Sequence, residues 1–158
     1  MTNKLTTCLW FDTEAEEAAQ FYTSIFPNSR ILDTARYTEA GPRPAGSVLT
    51  VTFELDGSRF VGLNGGPEFT FSEAVSFQID CADQDEVDSY WEKLSAGGQE
   101  GPCGWLKDKF GVSWQVVPSE LIALTTDSDP ERARRATEAM YKMGKIDIAA
   151  LRRAADGG

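Results

Sequence analysis

Histidine is absent from the 158 residues. This removes the side chain most often used as a general base near neutral pH, and with it the commonest metal ligand. The three cysteines, Cys8, Cys81 and Cys103, show no C-x-x-C spacing. Neither a disulfide framework nor a thiolate metal cluster is expected from them. No apolar run approaches the roughly 18 residues that cross a bilayer, so no membrane partner is expected. Met1 to Leu5 lacks the apolar core of a signal peptide, and a cytoplasmic address is the expectation. Positive charge is scarce, with 15 basic against 25 acidic residues and a net charge of −10. Nucleic acid selects a positive surface and is not an expected partner. Only from Asp129 onward do basic residues lead, seven to five.

What is present is enough for one well-cored domain with an appendage. Lys4 to Phe11 reads as a strand, with Thr7, Leu9 and Phe11 on one face and Cys8 and Trp10 on the other. Thr13 and Glu16 match a capping box, and the stripe Ala15, Ala18, Ala19, Tyr22, Ile25 predicts a helix to Phe26. Ser29–Thr38 and Ser47–Leu55 follow as strands, separated by the Gly/Pro-rich loop Glu39–Gly46. Asp56-Gly57 is a hairpin turn into Arg59–Asn64. Then the pattern restarts. Ala74–Asp80 is a strand, Asp83 can cap a helix with the stripe Val87, Tyr90, Trp91, Leu94, and Gly97-Gly98 ends it. A short strand at Trp105–Lys107 and a last one at Val112–Val117 close the half. The second of these carries Val112, Trp114 and Val116 on one face and Ser113, Gln115 and Val117 on the other.

An offset of 69 pairs Ala18, Tyr22 and Ile25 with Val87, Trp91 and Leu94, and pairs Cys8 and Trp10 with Phe77 and Ile79. On that reading Cys8 and Trp10 face the helix. Thr7, Leu9 and Phe11 then match Ser76, Gln78 and Asp80 on the opposite face. The fold class is α+β: two modules, residues 4–66 and 73–118, each a strand, a helix and further strands, with the non-helix faces enclosing a cavity. Residues 1–120 form this domain. Residues 121–158 form a helical tail, with Asp129-Pro130 starting one helix and Asp147 capping another, that docks on the body or on a partner subunit.

The segments LWFDTEAEEAAQFYTSIF, ELDGSRFVGLNGGP, SFQID and CGWLKDKFGVSWQVVP resemble the vicinal oxygen chelate superfamily, which includes the glyoxalase and bleomycin-resistance proteins. More narrowly they are similar to its PhnB-like branch, often labelled 3-demethylubiquinone methyltransferase, and the ending KMGKIDIAAL is similar as well. The resemblance implies two βαβββ modules forming curved mixed sheets, and a homodimer. Catalytic members hold a divalent metal on four inward side chains. The matching positions here are Thr7, Gly62 or Asn64, Ala74 or Ser76, and Gln115. None is histidine or a carboxylate, so no metal and no other cofactor is expected. The methyltransferase label finds no glycine-rich turn after the first strand, which runs into Asp12-Thr13.

The resulting candidates are binding residues: Thr7, Leu9, Phe11, Asn64, Ser76, Gln78, Trp105 and Gln115. No catalytic residue is singled out. Trp105, beside Gly104, is the better ligand candidate of the two tryptophans in this stretch, and Trp114 reads as core. Asn64 can contact a ligand or simply end the sheet. Gln78 and Gln115 can pair with each other or meet a ligand. Cys103 reads as an inert thiol, Glu54 as solvent-facing, and Lys107-Asp108-Lys109 as an exposed turn. The functional expectation is metal-free binding of a small, partly aromatic molecule in a cavity between the modules. An enzyme of the same superfamily is the alternative.

Overall fold

The computed structural model describes residues 3–158. Met1 and Thr2, the start of the stretch read above for a leader, lie outside the described residues. The chain divides into two compact units, Met1–Phe71 and Ser72–Gly158.

The first unit is β1 (Thr7–Phe11), α1 (Ala15–Ile25), β2 (Arg30–Arg36), β3 (Val48–Leu55) and β4 (Ser58–Asn64). Its four-stranded sheet has the order β1-β4-β3-β2, parallel between β1 and β4 and antiparallel elsewhere. Asp56 (φ 47°) and Gly57 (φ 85°) make the β3–β4 hairpin turn in the left-handed region that such two-residue turns require. Tyr22 of α1 stacks on Phe53, and Phe53 on Phe60, so the face carrying Val51, Phe53, Phe60 and Gly62 is the one under the helix. Gly62 lies so close that a Cβ there would meet Ala15 Cβ at 3.1 Å.

The second unit repeats this plan with β5 (Ser76–Cys81), α2 (Gln84–Ser95), β6 (Gln99–Glu100), β7 (Trp105–Lys107) and β8 (Ser113–Pro118), in the order β5-β8-β7-β6. Asp83 caps α2, its side chain accepting from Glu86 N. Val87, Trp91 and Leu94 are buried beneath it. Three more helices follow: α3 (Ser119–Thr125), α4 (Pro130–Met140) and α5 (Ile148–Ala155). The caps read from Asp129 and Asp147 are made, to Glu131 N and Ala150 N. Leu121, Leu124, Ala136, Ile146, Leu151 and Ala155 form one core with Val117 of β8. Backbone bonds from Cys103 N to Met143 O and from Gly104 N to Gly144 O, both 2.8 Å, fasten the tail to the sheet. Both units are thus mixed, curved, open sheets with helices, an α+β architecture. No helix among the described residues is long and apolar enough to cross a membrane.

Two expectations are overturned. Leu9 pairs with Gly62, and Phe11 with Asn64, so Thr7, Leu9 and Phe11 lie on the helix face and Cys8 and Trp10 on the open one. Leu9 and Phe11 are accordingly buried and Cys8 exposed. The cause is turn length. Three residues separate β1 from α1, but only two separate β5 from α2. The helices therefore match at an offset of 69 and the strands at 70, and a shift of one residue exchanges the faces of a strand. The capping box is not made either. Helix α1 has no local side-chain cap, and Ala15 N donates instead to Asn64 Oδ1 at 2.9 Å.

Candidate functional site

On the second sheet, the face away from α2 has a readable lattice. Register places Ser76 beside Ser113 and Gln78 beside Gln115 across β5 and β8, then Lys107 and Trp105 beside these on β7. Alternation sends their neighbours Ile79, Trp114 and Val116 into the core below. This face floors a groove of about 690 Å³, with Gln78, Gln115 and Trp105 in its wall. That volume suits a small organic molecule. On the far side the wall comes from the tail: Leu121, Ile122 and Thr125 of α3, Met140 at the end of α4, and Tyr141.

The polar groups are mostly neutral. Gln115 Nε2 donates to Ser76 Oγ at 2.9 Å and Gln78 Nε2 to Asp80 Oδ1 at 3.0 Å, so the two amides do not pair with each other. Ser113 is 1 % exposed, and its Oγ has no hydrogen-bond partner among the described residues. At the rim, Lys107 Nζ meets Glu73 at 2.8 Å. The hydrogen bond from Lys107 holds the Glu73 carboxyl below its ordinary pKa. Glu100, also in the wall, accepts from Trp91 Nε1 at 2.7 Å. Cys103 sits at the edge with φ 58°, its conformation held by the bond to Met143 O.

The other candidates lie elsewhere. Thr7, Leu9 and Phe11 belong to the first unit and face α1. Asn64 is 5 % exposed and fully engaged: Oδ1 accepts from Ala15 N, Nδ2 donates to Val48 O at 3.1 Å, and its carbonyl accepts from Tyr37 Oη. Ser76 contributes through Gln115. Glu54 is half-buried and paired with Arg30 at 3.6 Å. Asp108 corrects the exposed-turn reading. It is 3 % exposed, its Oδ1 accepting from Phe110 N and Val112 N and its Oδ2 from Trp114 Nε1. In the sequence an Asx turn of this kind shows only as Asp108-Lys109-Phe110-Gly111.

The superfamily's metal does not fit these residues. Of the carried-over positions, Thr7 and Gly62 lie under α1, and the open-face register partners replacing them are Cys8 and Val61. Gln78 and Gln115 are amides. Among the described residues no group of three or more histidine, cysteine, aspartate or glutamate side chains is placed to hold a metal ion. Divalent first-row metals select imidazole, thiolate or carboxylate donors in such numbers.

Comparison with known proteins meets this geometry. Among solved structures, a PhnB protein from Bacillus cereus is 38 % identical, covering 74 % of this chain and all of that one, with a TM-score of 0.66. A Pseudomonas aeruginosa protein, 16 % identical, covers 74 % of this chain and 98 % of its own with a TM-score of 0.61. The fosfomycin resistance protein FosX from Listeria monocytogenes, 15 % identical, covers 75 % and 94 % with a TM-score of 0.51. The last two share the fold alone. No curated protein matches. The 3-demethylubiquinone-9 3-methyltransferase family matches residues 3–117, which takes in both sheets and leaves the ending KMGKIDIAAL outside. With 38 % identity over the whole of the Bacillus chain and a family match across both sheets, the chain belongs to this PhnB-like family of the vicinal oxygen chelate superfamily.

Proposed function

We propose that the chain binds a small, partly aromatic molecule without a metal ion, in the groove on the open face of β5, β8 and β7. The observation that carries this reading is the convergence of Gln78, Trp105 and Gln115 on one volume of ligand size. Trp105 offers an aromatic surface, and the two amides offer donors and acceptors that fix orientation. The donor chemistry of the sheet favours organic recognition over metal coordination. The same reading takes a homodimer from the superfamily resemblance and a cytoplasmic setting from the sequence. Light scattering tests the dimer.

The second reading is an enzyme acting on a small molecule, with methyl transfer suggested by the family's descriptive name. Against it, β1 passes to α1 through Asp12-Thr13-Glu14 with no glycine-rich turn for a nucleotide-type cofactor. A thermal-shift screen of phenols, quinones, aromatic amides and S-adenosylmethionine separates the two. A ligand at a hundred times its Kd stabilises by about 2.7 kcal/mol. Aromatic hits that vanish in Gln115→Leu support binding in this groove. A shift with S-adenosylmethionine together with methylated product supports the enzyme. Stoichiometric divalent metal in the purified protein overturns the metal-free reading.

A further inference from the structure

The two walls of the groove differ in chemistry, and they differ in origin. The floor is strand, lies within the residues matched by the family, and is polar without free positive charge. Lys107, the only lining cation among the described residues, is paired with Glu73, while Glu100 adds a second carboxylate. An anionic group entering here finds no counter-ion and is repelled. Ser113 Oγ is the exception to an otherwise satisfied floor. A hydroxyl buried to this degree almost always has a partner, and this one, on a residue that lines the groove, has none among the described residues.

The opposite wall begins after the family match ends. Leu121, Ile122, Met140 and Tyr141 belong to α3 and the end of α4. Ile122 is 50 % and Tyr141 69 % exposed, so the fold itself leaves these two large apolar side chains uncovered beside the cavity. Their neighbours are fixed. Leu121 sits in the tail's core, and the Gly144 carbonyl accepts from Gly104 N at the groove's edge.

We propose that the groove takes a molecule with an uncharged hydrogen-bonding head and an apolar arm. The head occupies Ser113, Gln115 and Gln78. The arm lies along Ile122, Met140 and Tyr141, so that the C-terminal helices select its length. This rests on the groove being the binding site.

Three probes test it on the full-length chain by calorimetry, with amide NMR shifts of Trp105 and Gln115 to locate binding: benzamide, 4-butylbenzamide and 4-butylbenzoate. The expected order has 4-butylbenzamide tightest, about tenfold or more over benzamide, in keeping with burial of four carbons. The benzoate is weakest. Ser113→Ala narrows the amide-over-benzoate preference and leaves the arm's advantage. In the double variant Ile122→Ser/Tyr141→Ser, both at exposed positions, the arm's advantage is lost, so that 4-butylbenzamide binds no more tightly than benzamide does to the same variant. If Trp105 and Gln115 respond but the benzoate binds as well as the amide, or the arm's advantage survives the double variant, the inference falls and the groove reading stands. If none of the probes moves either signal, both fall.

Discussion

In the first unit an amide reaches from the end of β4 to the start of α1, where Asn64 Oδ1 accepts from Ala15 N across 49 positions of sequence. In the second unit the corresponding helix is capped from its own turn by Asp83, and β8 ends in Pro118, which leads directly into α3. The two units share one strand order and solve the same capping problem by different means. The difference decides which strand ends remain available. Asn64 is consumed by the fold, whereas the open face of β8 keeps at a groove Gln115 and a Ser113 hydroxyl with no partner among the described residues. A duplicated plan therefore need not give duplicated sites. The first unit carries a smaller hollow of about 250 Å³ along Arg43, Ser47 and Asn64.

This contrast can be broken by substitution. Asn64 in the first unit and Asp108 in the second are buried polar side chains that each serve more than one backbone or side-chain group. Asp108→Ala leaves Phe110 N, Val112 N and the Trp114 indole without their carboxylate, and the expected loss is about 3–4 kcal/mol in urea unfolding. A loss under about 1 kcal/mol would mean that the second sheet does not depend on this turn. Asn64→Ala leaves Ala15 N and Val48 O unpaired and should cost about 2–3 kcal/mol. Asp83→Ala, the local cap, should cost about 1 kcal/mol. Equal losses at Asn64 and Asp83 would erase the proposed difference in capping.

The face assignment is open to chemistry. Cys8 lies on the open face of β1, and Cys81 on the helix face of β5. Burial, aided by the Glu86 charge, pushes the Cys81 thiol up to about 12. Iodoacetamide at pH 8 should label Cys8 at least about tenfold faster than Cys81 in the native protein. The smallest effect concerns the tail. A hydrogen bond from Lys145, seconded by Gln84, lowers the Asp88 pKa. Because the folded value lies below the unfolded one, this contribution is present above the ordinary aspartate range. It is lost as pH falls through the folded value. Both partners are exposed, so Asp88→Asn should change stability at pH 7 by under about 0.5 kcal/mol, and flatten the acid limb of a pH titration followed by circular dichroism.

Local signals made much of this fold legible. Asp83, Asp129 and Asp147 announce helix starts by hydrogen bonds within three residues, and Asp56-Gly57 announces a hairpin by its own backbone requirement. Gln115 and Trp105 could be placed at a cavity because alternation along β8 and the glycine before β7 are local too. What escaped depends on distant partners. Nothing near Asn64 in sequence tells that Ala15 N waits for it, and Lys-Asp-Lys looks like surface until Trp114 is seen to need an acceptor. Ser113 was placed on the same face as Gln115 by alternation. Its lack of a partner is a property of the folded surroundings and cannot be read from neighbours in the chain.

The unequal turns before α1 and α2 have a genetic corollary. A single codon added or deleted there is absorbed by the turn: Leu9 and Ile79, and Phe11 and Cys81, stay beneath their helices although the turns differ by one residue. Insertion at that point therefore spares the outward-facing row, and the two rows differ only through the residue types each strand carries.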